Sequence, residues 1–295
     1  MFSKNKYNLF TMENKFSKKT VPLILCDTTL RDGLRTPYFN PTLDEKIAIF
    51  TTLEASDVDI IEVGYVINGE TDFELLKAIK PKNISQTHTV LCHANEIDIQ
   101  LAATILEHLP KPRLHLYLCV GTLQLPYQES LETAYLIEQA MEMVALASAL
   151  CDDVQLTLMD ATQCPLPKLI SIAKSAIKYG LGTLCIADTT GCATPMSMSQ
   201  LLNALSGALN FEFTHLGVHC HNDNDLANAI ALMAHQCGVA QIEGTIGGIG
   251  ERKGNVNLVE IMRKHHKNSQ ILEPLEQNYL TLIKENCADT RNITY

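Results

Sequence analysis

From Leu23 onward, short apolar runs alternate with longer stretches in which apolar side chains recur every three or four positions. The short runs read as strands: Leu23–Thr29, Asp59–Tyr65, Gln86–Cys92, Arg113–Val120, Asp153–Asp160, Thr183–Thr189, His215–His221 and Gln241–Gly247. The longer stretches, such as Leu43–Ala55, Ser130–Leu150 and Leu166–Tyr179, read as amphipathic helices. The strands are nearly all apolar, as expected where helices cover a parallel sheet. Eight β-then-α units predict an α/β fold, a closed (β/α)8 TIM barrel rather than an open sheet. The expected layout is a loose tail over 1–20, a barrel over 21–267 and a short helical extension over 268–295. One more helix fits after Asn257, through His266, and Ile271–Cys287 forms a last amphipathic one. No regulatory domain is expected.

A barrel should carry its reactive residues at the C-terminal ends of its strands. Arg31 and Asp32 follow the first strand, and Glu62 lies near the end of the second. Cys92 and His93 end the third, Asp160 the fifth, and Asp188 and Thr189 the sixth. His219 and His221 end the seventh, and a glycine-rich loop over Gly247–Asn255 follows the eighth. Glu62, His93 and Asp160 are candidate catalytic bases by this position alone.

Composition narrows the function classes. The 295 residues are 46% hydrophobic and 19% charged, which excludes a largely disordered chain. A net charge of −10 argues against a nucleic-acid partner. The apolar runs fall short of the roughly 20 residues of a membrane span. The segment Met1–Thr20 is polar and lacks the apolar core of a signal peptide. A cytoplasmic setting is expected. The ten cysteines form no C-x-x-C pair, which removes a zinc ribbon and a thioredoxin-like motif and leaves buried, reduced thiols.

Candidate chemistry centres on His219-Cys220-His221-Asn222-Asp223. Alternation along a strand turns both imidazoles to one face. With Asp32 as carboxylate they make a two-histidine, one-carboxylate metal set, to which Asn255 could add an amide oxygen. Such mixed nitrogen and oxygen donors suit Mn²⁺, Mg²⁺ or Zn²⁺. Arg31, beside Asp32, can hold an oxyanion polarised by the metal. The stretch from Glu243 to Asn255 reads G-x-G-x-x-x-G with no βαβ unit after it, so it is not a dinucleotide loop. Its glycines are expected to let backbone approach a ligand over the barrel mouth.

Three motifs then stand in order: D-T-T-L-R-D-G over Asp27–Gly33, H-x-H-N-D over His219–Asp223, and E-G-T-x-x-G-I-G-E-R-x-G-N over Glu243–Asn255. In these the chain resembles the metal-dependent Claisen-condensing barrels: the 2-isopropylmalate, homocitrate and citramalate synthases, with hydroxymethylglutaryl-CoA lyase more distant. The resemblance covers Leu23 to Ile261. It implies an acyltransferase that condenses acetyl-CoA with a 2-oxo acid and works as a homodimer. It implies Asp32, His219, His221 and Asn255 as metal ligands, Arg31 as the group that stabilises the enolate, and Thr189 as a hydrogen-bond donor to the substrate carboxylate. Two other readings remain: a retro-Claisen or aldol lyase on the same barrel, and a degenerate metal-binding barrel acting as a subunit. The departures fall near the substrate. Arg35 stands where the family carries Gln, and Met159 and Gln163 where it carries an acidic and a basic residue. As a substrate-binding residue, Arg35 should favour a 2-oxo acid with a second anionic or polar group.

Overall fold

The computed structural model of the chain describes residues 21–37, 39–67, 73–121, 129–209, 211 and 214–289. The expected tail over 1–20 lies outside them. Eight strands form a closed, all-parallel barrel in sequence order. They are β1 (Ile24–Asp27), β2 (Ile60–Val66), β3 (Thr87–His93), β4 (Pro112–Cys119), β5 (Val154–Met159), β6 (Thr183–Asp188), β7 (His215–Cys220) and β8 (Gln241–Gly244). The connecting helices are α1 (Leu43–Glu54), α2 (Phe73–Ala78), α3 (Glu96–Leu106), α4 (Glu129–Leu150), α5 (Leu166–Lys178), α6 (Pro195–Ala208), α7 (Ala227–Gln236) and α8 (Leu258–Lys264). A final helix, α9 (Glu273–Asp289), follows. β1 pairs with both β2 and β8, which closes the ring.

Local sequence sets the helix starts. Thr42 and Glu45 form a reciprocal capping box at α1, and Thr194 with Ser197 does the same at α6, with Pro195 in the first turn. Asn95 caps α3 and Asn257 caps α8 through their side-chain oxygens. α8 ends at Lys264, earlier than expected. His265 caps it and His266 turns out at φ 55°.

The barrel's two faces differ more than the apolar reading of the strands suggests. Leu114, Leu116 and Leu118 of β4 belong to the apolar core. The alternate residues Arg113 and His115 join a buried polar stack. Arg113 donates to Gln155 and Gln241, Gln241 donates to Glu243, and Gln155 meets His115 at 2.8 Å. Polar side chains thus fill a barrel interior that more often holds branched apolar layers. Each is hydrogen-bonded, as burial demands. The nine cysteines from Cys26 to Cys237 form no disulfide among the described residues, and five of them are buried: Cys26, Cys92, Cys164, Cys185 and Cys220. Among the described residues no helix is long and apolar enough to cross a membrane.

Candidate metal centre and substrate cavity

At the C-terminal mouth of the barrel, Asp32, His219 and His221 point ligand atoms at a common space. His219 Nε2 is 3.4 Å from His221 Nε2 and 3.4 Å from Asp32 Oδ2, and His221 Nε2 is 4.0 Å from that same oxygen. A point equidistant from three such atoms lies about 2 Å from each, the length of a metal–nitrogen or metal–oxygen bond. All three residues are buried. Both Asp32 oxygens and Asn255 Oδ1 are buried without a hydrogen-bond donor among the described residues. Such orphaned acceptors are costly unless a cation satisfies them. The donor set therefore fits a divalent ion.

Asn255 reaches the site through the loop after β8. A two-residue antiparallel bridge pairs it with His221, and its Nδ2 donates to Ile249 O at 3.0 Å, which leaves Oδ1 free. The glycines of this loop let it fold on itself. A Cβ on Gly254, at φ 91°, would stand 2.0 Å from Gly248 O, and one on Gly250 would meet Asn255 Nδ2 at 2.2 Å. Close backbone contact within the loop is what requires them.

The electrostatics are those of a cation site flanked by fixed charge. Burial opposes ionisation of Asp32, but Arg31 and the two histidines hold its carboxyl well below the usual carboxylate range. Burial likewise opposes a charged His219, yet the Asp32 and Glu243 carboxylates raise it to about 9. Glu243 Oε2 lies 3.2 Å from His219 Nδ1, the atom turned away from the triad, and so fixes the ring's orientation. Burial and the neighbouring His219 push His221 down to about 3.

Arg31 sits between two carboxylates. Its Nη1 is 3.3 Å from Asp32 Oδ1, and its Nε donates to Glu62 Oε1. Glu62 Oε2 faces His115 Nδ1 at 2.9 Å, so both oxygens of this fully buried carboxylate are engaged. Burial raises the Glu62 pKa, but Arg31 and His115 bring it below its ordinary value.

A cavity of about 110 Å³ opens beside the triad. Of the residues expected from sequence, Arg31, Asp32, Arg35, Thr189, His219 and His221 line it. Glu62, His93 and Asp160 do not. Glu62 stands behind Arg31. Met159 takes the inward position at the end of β5, so alternation turns Asp160 away. Asp160 adopts φ 56° and donates its N–H to Thr189 Oγ1. His93 packs its ring 5.0 Å from that of Tyr117. Sequence reasoning missed Tyr65, His115, Tyr117 and Thr157, which also line the cavity, and gave no role to Glu243 and Glu251 beyond their motif. The signal for His115 and Thr157 was present: polar residues at every second position of otherwise apolar strands. A larger cavity of about 650 Å³ lies at the opposite end of the barrel. Lys267 pairs with Asp59 and Arg113 with Asp153 there, and among the described residues it holds no metal-type cluster.

The HMGL-like family model matches residues 22–285. The chain belongs to the HMGL-like family. It is 35% identical to the 2-isopropylmalate synthase of Heliobacterium modesticaldum over 241 residues, 81% of this chain and 47% of that relative. To the 2-isopropylmalate synthase of a Geobacillus strain it is 38% identical over 236 residues, 80% of this chain and 46% of the relative. The chain thus spans about half the length of the curated relatives it matches. The HMG-CoA lyase of Bacillus subtilis superposes with a TM-score of 0.71 at 18% identity, over 90% of this chain and 93% of that one, a likeness that shows the shared TIM-barrel fold.

Proposed function

We propose that the chain carries out a metal-dependent Claisen condensation of acetyl-CoA with a 2-oxo acid, giving a 2-hydroxy-2-alkyl dicarboxylic acid and free CoA. The observation that carries this reading is the placement of Arg31, 3.3 Å from triad residue Asp32, on the wall of the same cavity. Asp32, His219 and His221 would hold Mn²⁺, Mg²⁺ or Zn²⁺, with Asn255 Oδ1 as a further donor. When bound, the ion supplies a Lewis acid and a template for a chelating 2-oxo acid.

The chain's own groups do the rest. Arg31 is fixed by Glu62 and Asp32, so its guanidinium needs no reorganisation to face the oxygen that gains charge as acetyl-CoA loses a methyl proton. A general base takes that proton and returns it to the keto oxygen as the carbon attacks the keto carbon, and water then splits the thioester into a carboxylate and the CoA thiol. Thr189 Oγ1 accepts from Asp160 N–H, which leaves its own hydrogen to donate to the 2-oxo acid carboxylate. Glu62, with both oxygens engaged, acts as a positioning residue for Arg31. His93 and Asp160 act behind the cavity wall, through Tyr117 and Thr189. The homodimer and the cytoplasmic setting belong to the same proposal, and light scattering on the purified chain tests the first.

Identity of 35–38% to synthases supports the condensing direction over cleavage on the same barrel. The complete metal and Arg31 set supports an enzyme over a degenerate barrel, because buried charges of this kind are costly to keep. The test is a panel of 2-oxo acids with acetyl-CoA, reading free thiol with and without Mn²⁺ or Mg²⁺. Metal-dependent thiol release with at least one acid is expected. Its absence across the panel would overturn the reading.

A further inference from the structure

The cavity has two unlike sides. The metal triad and Arg31 come from β1, β7 and the loops that follow them. Across from them, β2 to β5 present Tyr65, Leu91, Tyr117 and Met159. Arg35 reaches over from the turn after β1, with its guanidinium 5.8 Å from the Tyr65 ring centre.

Hydrogen-bond donors remain unspent on this second side. The Tyr65 and Tyr117 hydroxyls meet at 2.6 Å. One hydrogen occupies that contact, and two hydroxyls carry two, so one O–H is left over. Burial and the Tyr65 hydroxyl raise the Tyr117 pKa, which keeps it a donor at neutral pH. Arg35 is paired only loosely: Asp32 Oδ1 is 3.9 Å from its Nε, and Glu251 Oε2 is 3.6 Å from its Nη1. Both distances exceed a hydrogen bond. Asp32 is in any case shared with Arg31. Among the described residues, the Arg35 side chain therefore makes ion pairs but donates no hydrogen bond. A planar guanidinium over the Tyr65 ring and the spare O–H of the Tyr65–Tyr117 pair line one cavity, a donor set suited to a carboxylate. Leu91, Met159 and Ala187 complete the lining with apolar surface, which suits methylene groups.

We infer that Arg35, Tyr65 and Tyr117 bind the far carboxylate of a 2-oxo dicarboxylic acid. The inference rests on the condensation reading in taking a 2-oxo acid as the ligand, and it changes the product, because the same condensation with a 2-oxo dicarboxylic acid gives a 2-hydroxy tricarboxylic acid. A branched aliphatic acid would leave the guanidinium and the hydroxyl without an acceptor, and a site built to hydrogen-bond its substrate discriminates strongly against an analogue that cannot.

The test is calorimetric titration of the Mn²⁺-loaded chain with 2-oxoglutarate, oxaloacetate and 2-oxoisovalerate, with thiol release from acetyl-CoA followed in parallel. The wild-type chain should bind one of the dicarboxylic acids at least about tenfold more tightly than 2-oxoisovalerate, the scale of one charge-assisted hydrogen bond. Arg35→Gln should weaken that dicarboxylic acid at least about tenfold more than 2-oxoisovalerate. Tyr65→Phe and Tyr117→Phe should do the same to a smaller extent. Arg35 is 43% exposed, so its variant should keep the wild-type melting temperature. A wild-type preference for 2-oxoisovalerate, equal losses for both kinds of acid, or binding of neither overturns the inference. Preferential binding of a dicarboxylic acid without thiol release upholds the pocket and overturns the condensation reading instead.

Discussion

The Arg31 side chain, 8% exposed, lies between Asp32 and Glu62, and its charge is locked in place by both. Fixed charge of this kind counts most where charge develops, in the transition state. Arg31→Lys keeps the charge but loses the planar fork. The turnover number should fall by roughly 100-fold, with a far smaller change in the Michaelis constant for the 2-oxo acid and bound metal still near one per chain. A loss confined to the Michaelis constant would make Arg31 a binding residue. Asp32 and His219 make the complementary case. Asp32→Ala or His219→Ala should abolish bound Mn²⁺, measured by elemental analysis, while circular dichroism keeps the barrel signature. Metal retained at full stoichiometry would show that the ion sits elsewhere.

At the scale of elements, the loop after β8 decides whether Asn255 reaches the triad. Gly254 holds φ 91° with no room for a Cβ against Gly248 O. Gly254→Ala should therefore displace Asn255, weaken Mn²⁺ binding and lower the melting temperature together. Wild-type metal affinity in a folded Gly254→Ala chain would separate Asn255 from the site. β2 shows the same dependence on local geometry. Its pairing with β3 shifts register between Glu62 and Tyr65. Strict alternation would put residues three apart on opposite faces, and the irregularity turns both inward. Gly64 in the β2 sequence, Ile-Ile-Glu-Val-Gly-Tyr-Val, marks where such a bulge can form but not which way the residues after it turn, so the chain alone does not bring Tyr65 inward.

For the whole molecule, a bound ion should add stability, because the unfolded chain has no preformed set of ligands. At a hundred times the dissociation constant the gain is about 2.7 kcal/mol. Chelation should lower the melting temperature by several degrees in the wild type and leave Asp32→Ala unmoved. Equal shifts in both would point to a different site. Asp27 sets a pH dependence of its own. Full burial raises it to about 7, only partly offset by the bonds it accepts from Thr29. Between its ordinary value of 3.8 and about 7, the folded chain keeps a proton that the unfolded chain has released. Stability is therefore lost as pH rises through that window, on the order of 4 kcal/mol at about 1.4 kcal/mol per unit. Asp27→Asn removes this dependence. Its melting temperature relative to wild type should rise between pH 4 and pH 7, and a gap that stays constant would refute the assignment.

The order of eight βα units, the barrel they close and the pairing of His219 with His221 on one face were all legible in the chain. They follow from periodicity, which is a property of neighbours in sequence. The ends of strands also marked Arg31, Asp32 and Thr189. Position at a strand end did not separate Met159 from Asp160, because one step along a strand reverses the face, and only the structure shows which residue turns inward. Nor could the chain show that Glu62 spends both oxygens on Arg31 and His115, 31 and 53 residues away. The polar filling of the barrel, the meeting of Tyr65 with Tyr117 and the folded glycine loop that delivers Asn255 belong to tertiary structure. Each depends on contacts between strands and loops far apart in sequence, and those contacts exist only once the ring has closed.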